Sequence, residues 1–326
     1  MPSTYSVGWW NLENLFDEED APPERRSEKV RRVLGSDIKG WTPQLRDRKI
    51  FQLASVISRM NGGAGPDLLG VCEVENRFVL DLLVDELDRR PGDRQYAVVH
   101  ADTADSRGID VAFLYDPDRL EVPDDATFFH VVMRRNATRE IVQVNFRTAA
   151  GRTWAVFGNH WPSRSGGQAE SAGFRHIAGE TLAYFHERVL EIHGAATPAL
   201  VMGDFNDEPF DTSLVLHALS TRQRQKVLQT DEVPRLWNLS WPTLGVPAGT
   251  FYFDNQPNLL DQVLVNKNMA RADGPLSVDP TSTAIVAFDD MTTGPFHKPR
   301  PFGGMGKPVD EDGFSDHFPV TLVVTE

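Results

Sequence analysis

The sequence has a single cysteine, Cys72, among its 326 residues, so no internal disulfide can form and the fold does not depend on an oxidising compartment. No apolar run approaches the roughly 20 residues that a membrane span needs. The opening Met-Pro-Ser-Thr-Tyr-Ser-Val-Gly-Trp-Trp-Asn carries no basic stretch, apolar stretch or cleavage site. It therefore reads as lacking a signal peptide, and a cytoplasmic protein is expected. Basic charge is also short: 33 Lys and Arg against 47 Asp and Glu leave a net charge of −14. Proteins that hold nucleic acid tightly and non-specifically neutralise phosphates with a basic surface, and this balance disfavours that class. It leaves room for an enzyme that meets phosphate through a bound metal and a local basic patch. Internal repeats, heptads and low-complexity linkers are missing too.

What is present is a series of short apolar runs. Tyr5–Asn11, Asp67–Val74, Gln95–His100, Ile109–Tyr115, Thr127–Met133, Ile141–Arg147, Thr153–His160, Ala199–Asp204, Leu259–Val265 and Phe318–Val324 read as strands. Helical spacing predicts helices over Arg46–Met60, Arg77–Leu87 and Glu170–His193. Many strands with few, unevenly placed helices suit an α+β fold, two sheets packed face to face with helices outside. One domain over residues 1–326 is expected, with a charged surface insertion at 17–43 and a long Gly- and Pro-rich loop at 281–313.

The chemistry is expected where these runs end. The first finishes in Asn11-Leu-Glu13-Asn14 and the second in Glu73-Val-Glu75-Asn76. Others finish in Asn159-His160 and in Asp204-Phe-Asn206-Asp207, while Leu259-Leu260 runs into Asp261 and Phe314-Ser315 delivers Asp316-His317. Carboxylates beside apolar strands cost several kcal/mol to bury unless they are paired or bind metal, so one shared polar site is the economical reading. Glu73, Asp204 and Asp316 offer hard oxygens, and Asn11 and Asn206 offer amide oxygens or donors, which suits magnesium, manganese or calcium. Without a His-x-x-x-His pair, one cysteine cannot build a zinc site. Asp261 and His317 are then available as an acid–base couple, and His160 as an imidazole facing a phosphoryl oxygen.

These motifs resemble the endonuclease/exonuclease/phosphatase family, which includes pancreatic-type deoxyribonuclease, apurinic endonucleases, inositol-polyphosphate phosphatases and bacterial sphingomyelinases. The resemblance runs from Trp9 to Val320, and Gly-Asp204-Phe-Asn206 with Ser-Asp316-His317-Phe-Pro is its most specific part. Trp-Asn11-Leu-Glu13-Asn14-Leu-Phe and Glu73-Val-Glu-Asn are similar to its small bacterial members. It implies a four-layer α/β/β/α sandwich of two mixed sheets flanked by helices. It implies Glu73 as principal metal ligand with Asn11 and Asp316 nearby, and Glu13 where some members use a carboxylate. Asp204 and Asn206 would hold the attacking water, Asp261 and His317 form a dyad, and His160 contact the scissile phosphate. Whether His317 or Asp204 takes the water's proton is left open. Arg107 and Arg164 are expected phosphate contacts, since the guanidinium fork suits phosphate oxygens.

The expected activity is divalent-metal-dependent hydrolysis of a phosphodiester, as an endonuclease or exonuclease using Mg2+, with Mn2+ or Ca2+ as alternatives. A phosphatase acting on a small-molecule, nucleotide or lipid phosphomonoester is the second reading. An inactive binding module is disfavoured, because Glu73, Asp204, Asn206, Asp261 and His317 are all present. The expected partner is a phosphate-ester substrate, nucleic acid among the candidates, with no membrane span and a monomer by default. The tryptophans Trp9 and Trp10 read as core packing, and Arg175 and His176 as solvated surface.

Overall fold

The structure, a computed structural model, describes residues 3–90, 94–103, 105, 107–133, 138–229, 233–245 and 248–326. The chain first lays down β1 (Thr4–Leu15), β2 (Leu68–Val74), β3 (Ala97–Val99) and β4 (Asp110–Tyr115). It then crosses to a second sheet through β5 (Leu120–Glu121), β6 (Thr127–His130), β7 (Ile141–Thr148), β8 (Thr153–His160), β9 (Ala199–Asp204), β10 (Ser220–Thr221) and β11 (Leu236–Asn238). A two-stranded ribbon of β12 (Phe251–Phe253) and β13 (Gln256–Asn258) precedes β14 (Asp261–Val265). Finally come β15 (Ser277–Ile285), a second ribbon of β16 (Thr292–Thr293) and β17 (Lys298–Pro299), and β18 (Val320–Thr325). The six-stranded first sheet runs β15-β18-β1-β2-β4-β3, and the eight-stranded second runs β10-β11-β14-β9-β8-β7-β5 with β6 beside β7. Parallel pairing of β1 with β2 and of β8 with β9, among antiparallel neighbours, makes both sheets mixed.

Alternation along the strands sorts the side chains into layers. In β1, Tyr5, Val7 and Trp9 face an inter-sheet core with Phe113, Phe146, Trp154, Met202 and Val263. Trp10, Leu12 and Leu15 face outward, against Leu53 and Ile57 of the helix Pro43–Ile57 and Val79 and Leu83 of the helix Arg77–Asp88. On the far side, Phe157 and Val201 pack against Ala178, Leu182 and Val189 of the helix Gln168–His193. The four layers expected from the family resemblance are therefore present. Caps decide two helix starts, and only the first differs from its periodicity-based bound, since the second begins at Arg77 as expected. Thr42 accepts from Leu45 N ahead of Pro43, moving the start from Arg46 to Pro43, while Asn76 accepts from Val79 N.

Two segments differ from their expectation. Between 281 and 313 the chain is not one long loop: β15 continues to Ile285, and the β16–β17 ribbon folds back on itself. Its glycines and prolines punctuate short elements instead of dissolving them. The charged stretch 17–43 contains the helix Glu28–Leu34 and a satellite core of Leu34, Ile38 and Trp41 with Phe16 and Phe302. Its Arg26 is buried, with its guanidinium forked onto Glu75. Arg175, read as solvated surface, is fully buried and pairs with Asp207 at 2.8 Å. A guanidinium's five donors let it be buried if each finds an acceptor, which composition alone does not reveal.

Candidate active site

The polar strand ends converge on one cleft of about 600 Å³ between the ends of the two sheets. Each sheet supplies its residues by a different device. In the second sheet the ladder is regular: β8, β9 and β14 lie side by side, with His160 opposite Asp204 and Asp204 opposite Asp261. In the first sheet the register breaks between Asn11 and Leu15 of β1 and between Cys72 and Val74 of β2. Such bulges re-aim side chains that a flat ladder would send to alternate faces. Glu13, Asn14 and Glu73 take up the break with φ of 50°, 55° and 62°. Non-glycine residues rarely sit there, and each costs on the order of 1–3 kcal/mol that the surroundings must repay.

Asp261 is fully buried, and both its carboxylate oxygens are engaged. Trp9 Nε1 donates to Oδ1 at 3.1 Å, and Oδ2 lies 2.7 Å from His317 Nδ1. Trp10 Nε1 donates to the His317 carbonyl at 2.8 Å, and the His317 amide donates to Ser315 Oγ at 3.1 Å. Burial opposes charge on the His317 ring, but the Asp261 carboxylate and its hydrogen bond, then Asp204 and Asp316, hold its pKa well above the ordinary value. His317 Nε2 points to the cleft, 4.0 Å from Asp204 Oδ2.

Asp204 accepts from Asn206 N at 2.9 Å and from Asn11 Nδ2 at 3.1 Å. Burial, then the nearby Asp261 charge, pushes its pKa up to about 6. Asn11 spends its amide on Asp204 and its carbonyl on Glu13 N at 2.9 Å, so it ties the two sheets' contributions together. Asn206, at φ 51°, donates to the Trp161 carbonyl at 3.1 Å. His160 Nε2 stands 3.8 Å from Asp204 Oδ2 and 3.7 Å from Glu73 Oε1, too far to bond directly, and leaves room for an atom between them. Burial, then the charges of Arg139 and Arg107, keep the His160 ring neutral by lowering its pKa well below the ordinary value.

The remaining carboxylates form an acidic side. Glu73 Oε2 accepts from Asn14 N at 3.0 Å, while Oε1 faces Arg107 at 3.8 Å. Glu13 Oε2 accepts from the amides of Phe302 and Gly303 at 2.8 and 3.2 Å, yet the buried Oε1 has no hydrogen-bond partner among the described residues. Burial pushes the Glu13 carboxyl up to about 7, against the pull of Lys49, whose buried ammonium donates to the Glu13 carbonyl. Asp316 lies at the rim, 3.6 Å from Lys307 Nζ. Hard carboxylate oxygens, one of them buried without a partner, fit a divalent cation. Asp204, Asp261 and His317 bring ligand atoms within 4.8 Å of one another, whereas Glu13, Glu73 and Asp316 do not meet so closely. The first trio is less suited to an ion, because Asp261 has both oxygens committed to Trp9 and His317.

All eleven residues expected at the site lie in or behind this cleft, but their surroundings differ. Arg107 is half exposed at the cleft wall. Arg164 lines the cleft with its donors already spent on the Asn206 carbonyl at 2.6 Å, on Asp211 at 3.0 Å and, more weakly, on Asn258. Sequence reading missed Trp9, Trp10, Lys49 and Lys307, as well as the apolar lip of Phe251, Phe253 and Leu260. Spacing carries no sign of those contacts; adjacency of Trp9-Trp10 to Asn11 was the only available hint.

A model of the Endonuclease/Exonuclease/phosphatase family matches residues 6–326. No curated protein matches the sequence. Among solved structures, one of a family protein from Bacteroides thetaiotaomicron is 15% identical with TM-score 0.57, covering 100% of this chain and 98% of its own. A Bacteroides thetaiotaomicron mannosyl-6-phosphatase is 17% identical with TM-score 0.56, covering 98% and 99%. D. rerio TDP2, solved with a single strand DNA product, is 12% identical with TM-score 0.59, covering 99% and 100%. At these identities the structures establish a shared fold, and with the family match they place the chain: it belongs to the endonuclease/exonuclease/phosphatase family.

Proposed function

We propose that this protein is a magnesium-dependent phosphodiesterase that cleaves nucleic-acid strands by in-line attack of water. The observation that carries the reading is the Asp261–His317 pair at 2.7 Å, aimed at Asp204 beside an acidic group with an unpartnered oxygen. When bound, the cation would neutralise phosphate and leaving-group charge. Glu73, Glu13 and Asp316 would hold it, with Asn11 spanning from Glu13 to Asp204. Asp204 and Asn206 position water, and Asp261 fixes the His317 tautomer so that Nε2 is free to exchange a proton. The neutral His160 donates to a phosphate oxygen. Arg107 reaches the same phosphate from the wall, while Arg164 holds the Asn206 loop.

A diester is favoured over a compact polar monoester by the lip. The turn residues Asp254 and Asn255, at φ 48° and 61°, close the β12–β13 hairpin and leave Phe253 72% exposed beside the cleft. An exposed ring there suits stacking of a base. The mannosyl-6-phosphatase neighbour and the net charge of −14 support the second reading, a small-molecule phosphatase. Supercoiled plasmid, single-stranded DNA, nucleotides, sugar phosphates and bis-p-nitrophenyl phosphate, each with Mg2+, Mn2+ or excess chelator, decide between them. Cleavage of DNA and the diester only with metal, abolished in Asp204→Ala and His317→Ala, is expected. Rapid monoester turnover with inert DNA would favour the phosphatase, and full activity in chelator would falsify both.

A further inference from the structure

Lys307 is delivered by a turn built for one conformation. Gly303, Gly304, Met305 and Gly306 lie consecutively at φ of 79°, 85°, 51° and 81°. Three of the four are glycine, the residue that enters this region without steric cost. The turn is packed against its neighbours: a Cβ on Gly303 would lie 2.0 Å from the Pro308 carbonyl, and one on Gly304 2.6 Å from the Trp41 ring. Trp41 is itself fixed, edge-on to Phe302 at 5.8 Å and donating to the Phe16 carbonyl at 3.1 Å. Lys307 N closes the turn on the Gly304 carbonyl at 3.0 Å.

From this base the Lys307 side chain, 59% exposed, enters the cleft wall beside Arg107 and His317. Its ammonium stops 3.6 Å from Asp316 Oδ2 and 3.9 Å from Glu13 Oε1. Neither separation is that of a well-formed hydrogen bond, so the ammonium sits between the two carboxylates without being locked to either. The Glu13 oxygen is the same buried oxygen that has no hydrogen-bond partner among the described residues. A divalent cation needs these oxygens, and a compact ammonium on a flexible four-carbon stem can leave them by changing rotamers alone. Once displaced, it has the open cleft before it.

We propose that Lys307 is a substrate-phosphate ligand held in reserve: it balances Glu13 and Asp316 until a divalent cation claims them, then turns to a non-bridging oxygen of the ester. The assignment rests on the metal-dependent reading above. It makes two predictions of opposite sign for one substitution. Removing the ammonium takes away a competitor for the carboxylates and also a ligand for the phosphate.

Calorimetric titration of the full chain tests both. Mn2+ is titrated into metal-free protein, and inorganic phosphate into protein saturated with sub-millimolar Mn2+. Lys307→Met should bind Mn2+ roughly tenfold more tightly and phosphate roughly tenfold more weakly, each about 1.4 kcal/mol. Lys307→Arg should return phosphate affinity towards the wild-type value. Unchanged affinities in Lys307→Met, in a wild type that binds Mn2+, overturn the assignment and leave metal dependence standing. Weakening of both ligands together also overturns it, because that marks a damaged site. A wild type that binds no Mn2+ removes the metal-dependent reading and this assignment with it.

Discussion

The two halves of the site are finished to different degrees. On the His317 side, Asp261 has both oxygens occupied, its amide bonded to Thr250 at 3.1 Å and its strand in regular register opposite Asp204. On the acidic side, Glu13 and Glu73 stand in left-handed backbone at bulges, one buried oxygen has no hydrogen-bond partner among the described residues, and the Lys307 ammonium stands 3.9 Å from it. The first half is closed by protein groups alone. The second leaves a buried carboxylate oxygen without a partner, which an added cation would satisfy. On the proposed reading, proton handling would be built into the fold, and cation affinity would come from carboxylates that protein groups leave incompletely satisfied.

The largest effect expected of this division is kinetic. His317→Ala should lower kcat by about a thousandfold, within the range ascribed to a positioned acid–base group, while Mn2+ affinity measured by calorimetry stays within about twofold. Asp261→Ala should match that kinetic loss and also destabilise the protein by roughly 1–3 kcal/mol in urea unfolding, since Trp9 and His317 both lose a buried acceptor. If His317→Ala weakened Mn2+ binding severely, the two halves would not be separate. Glu73→Gln is the converse change: Mn2+ affinity should fall about tenfold or more, while the metal-free protein should stay folded, because glutamine keeps an oxygen that can accept from Asn14 N.

Acidity sharpens the same contrast. The carboxyls of Asp204 and Glu13 titrate near 6 and 7 in the fold, against 3.8 and 4.5 ordinarily. Between those values the folded protein binds more protons than the unfolded chain, so stability without metal falls as pH rises from about 4 to about 7. His317, whose folded pKa is raised, adds stability that is full below its ordinary value and is lost as pH rises through the folded one. A divalent cation binds the charged carboxylates, so its protection against heat should grow over the same interval. Thermal melts at pH 5 and 8 should show a shift with Mn2+ that is several degrees larger at the higher pH, about 2–4 °C for each kcal/mol. An equal shift at both would mean that the cation does not bind these groups.

How much of this was legible depended on whether the information was local. The strands were, because alternation and apolar runs are written in consecutive residues, and so was the convergence of polar groups, since six runs carried the same few residue types at a strand boundary. The motif Glu73-Val-Glu75-Asn76 shows where legibility stopped: Glu73 faces the cleft, Glu75 neutralises the buried Arg26, and Asn76 caps a helix. All three are polar and adjacent, and only tertiary neighbours assign them separate work. Lys307 was hidden for a like reason, because its place at the cleft follows from four successive left-handed residues that no periodicity reports.

The smallest effect expected concerns Trp9, which the sequence presents as a core residue. Trp9→Phe keeps most of the buried ring and deletes the Nε1–H that Asp261 receives at 3.1 Å. Loss of one such bond should cost about 1 kcal/mol in urea unfolding and lower kcat only a fewfold, with KM unchanged. A core role would end there. If Trp9 supports the His317 side instead, an Asp261 with one donor fewer is a stronger base and holds the His317 proton more firmly. The limb of the pH–rate profile that titrates His317 should then move to higher pH in Trp9→Phe, and Glu73→Gln should leave it in place. A stability loss with a stationary limb would return Trp9 to the core and confine the finished half of the site to Asp261 and His317.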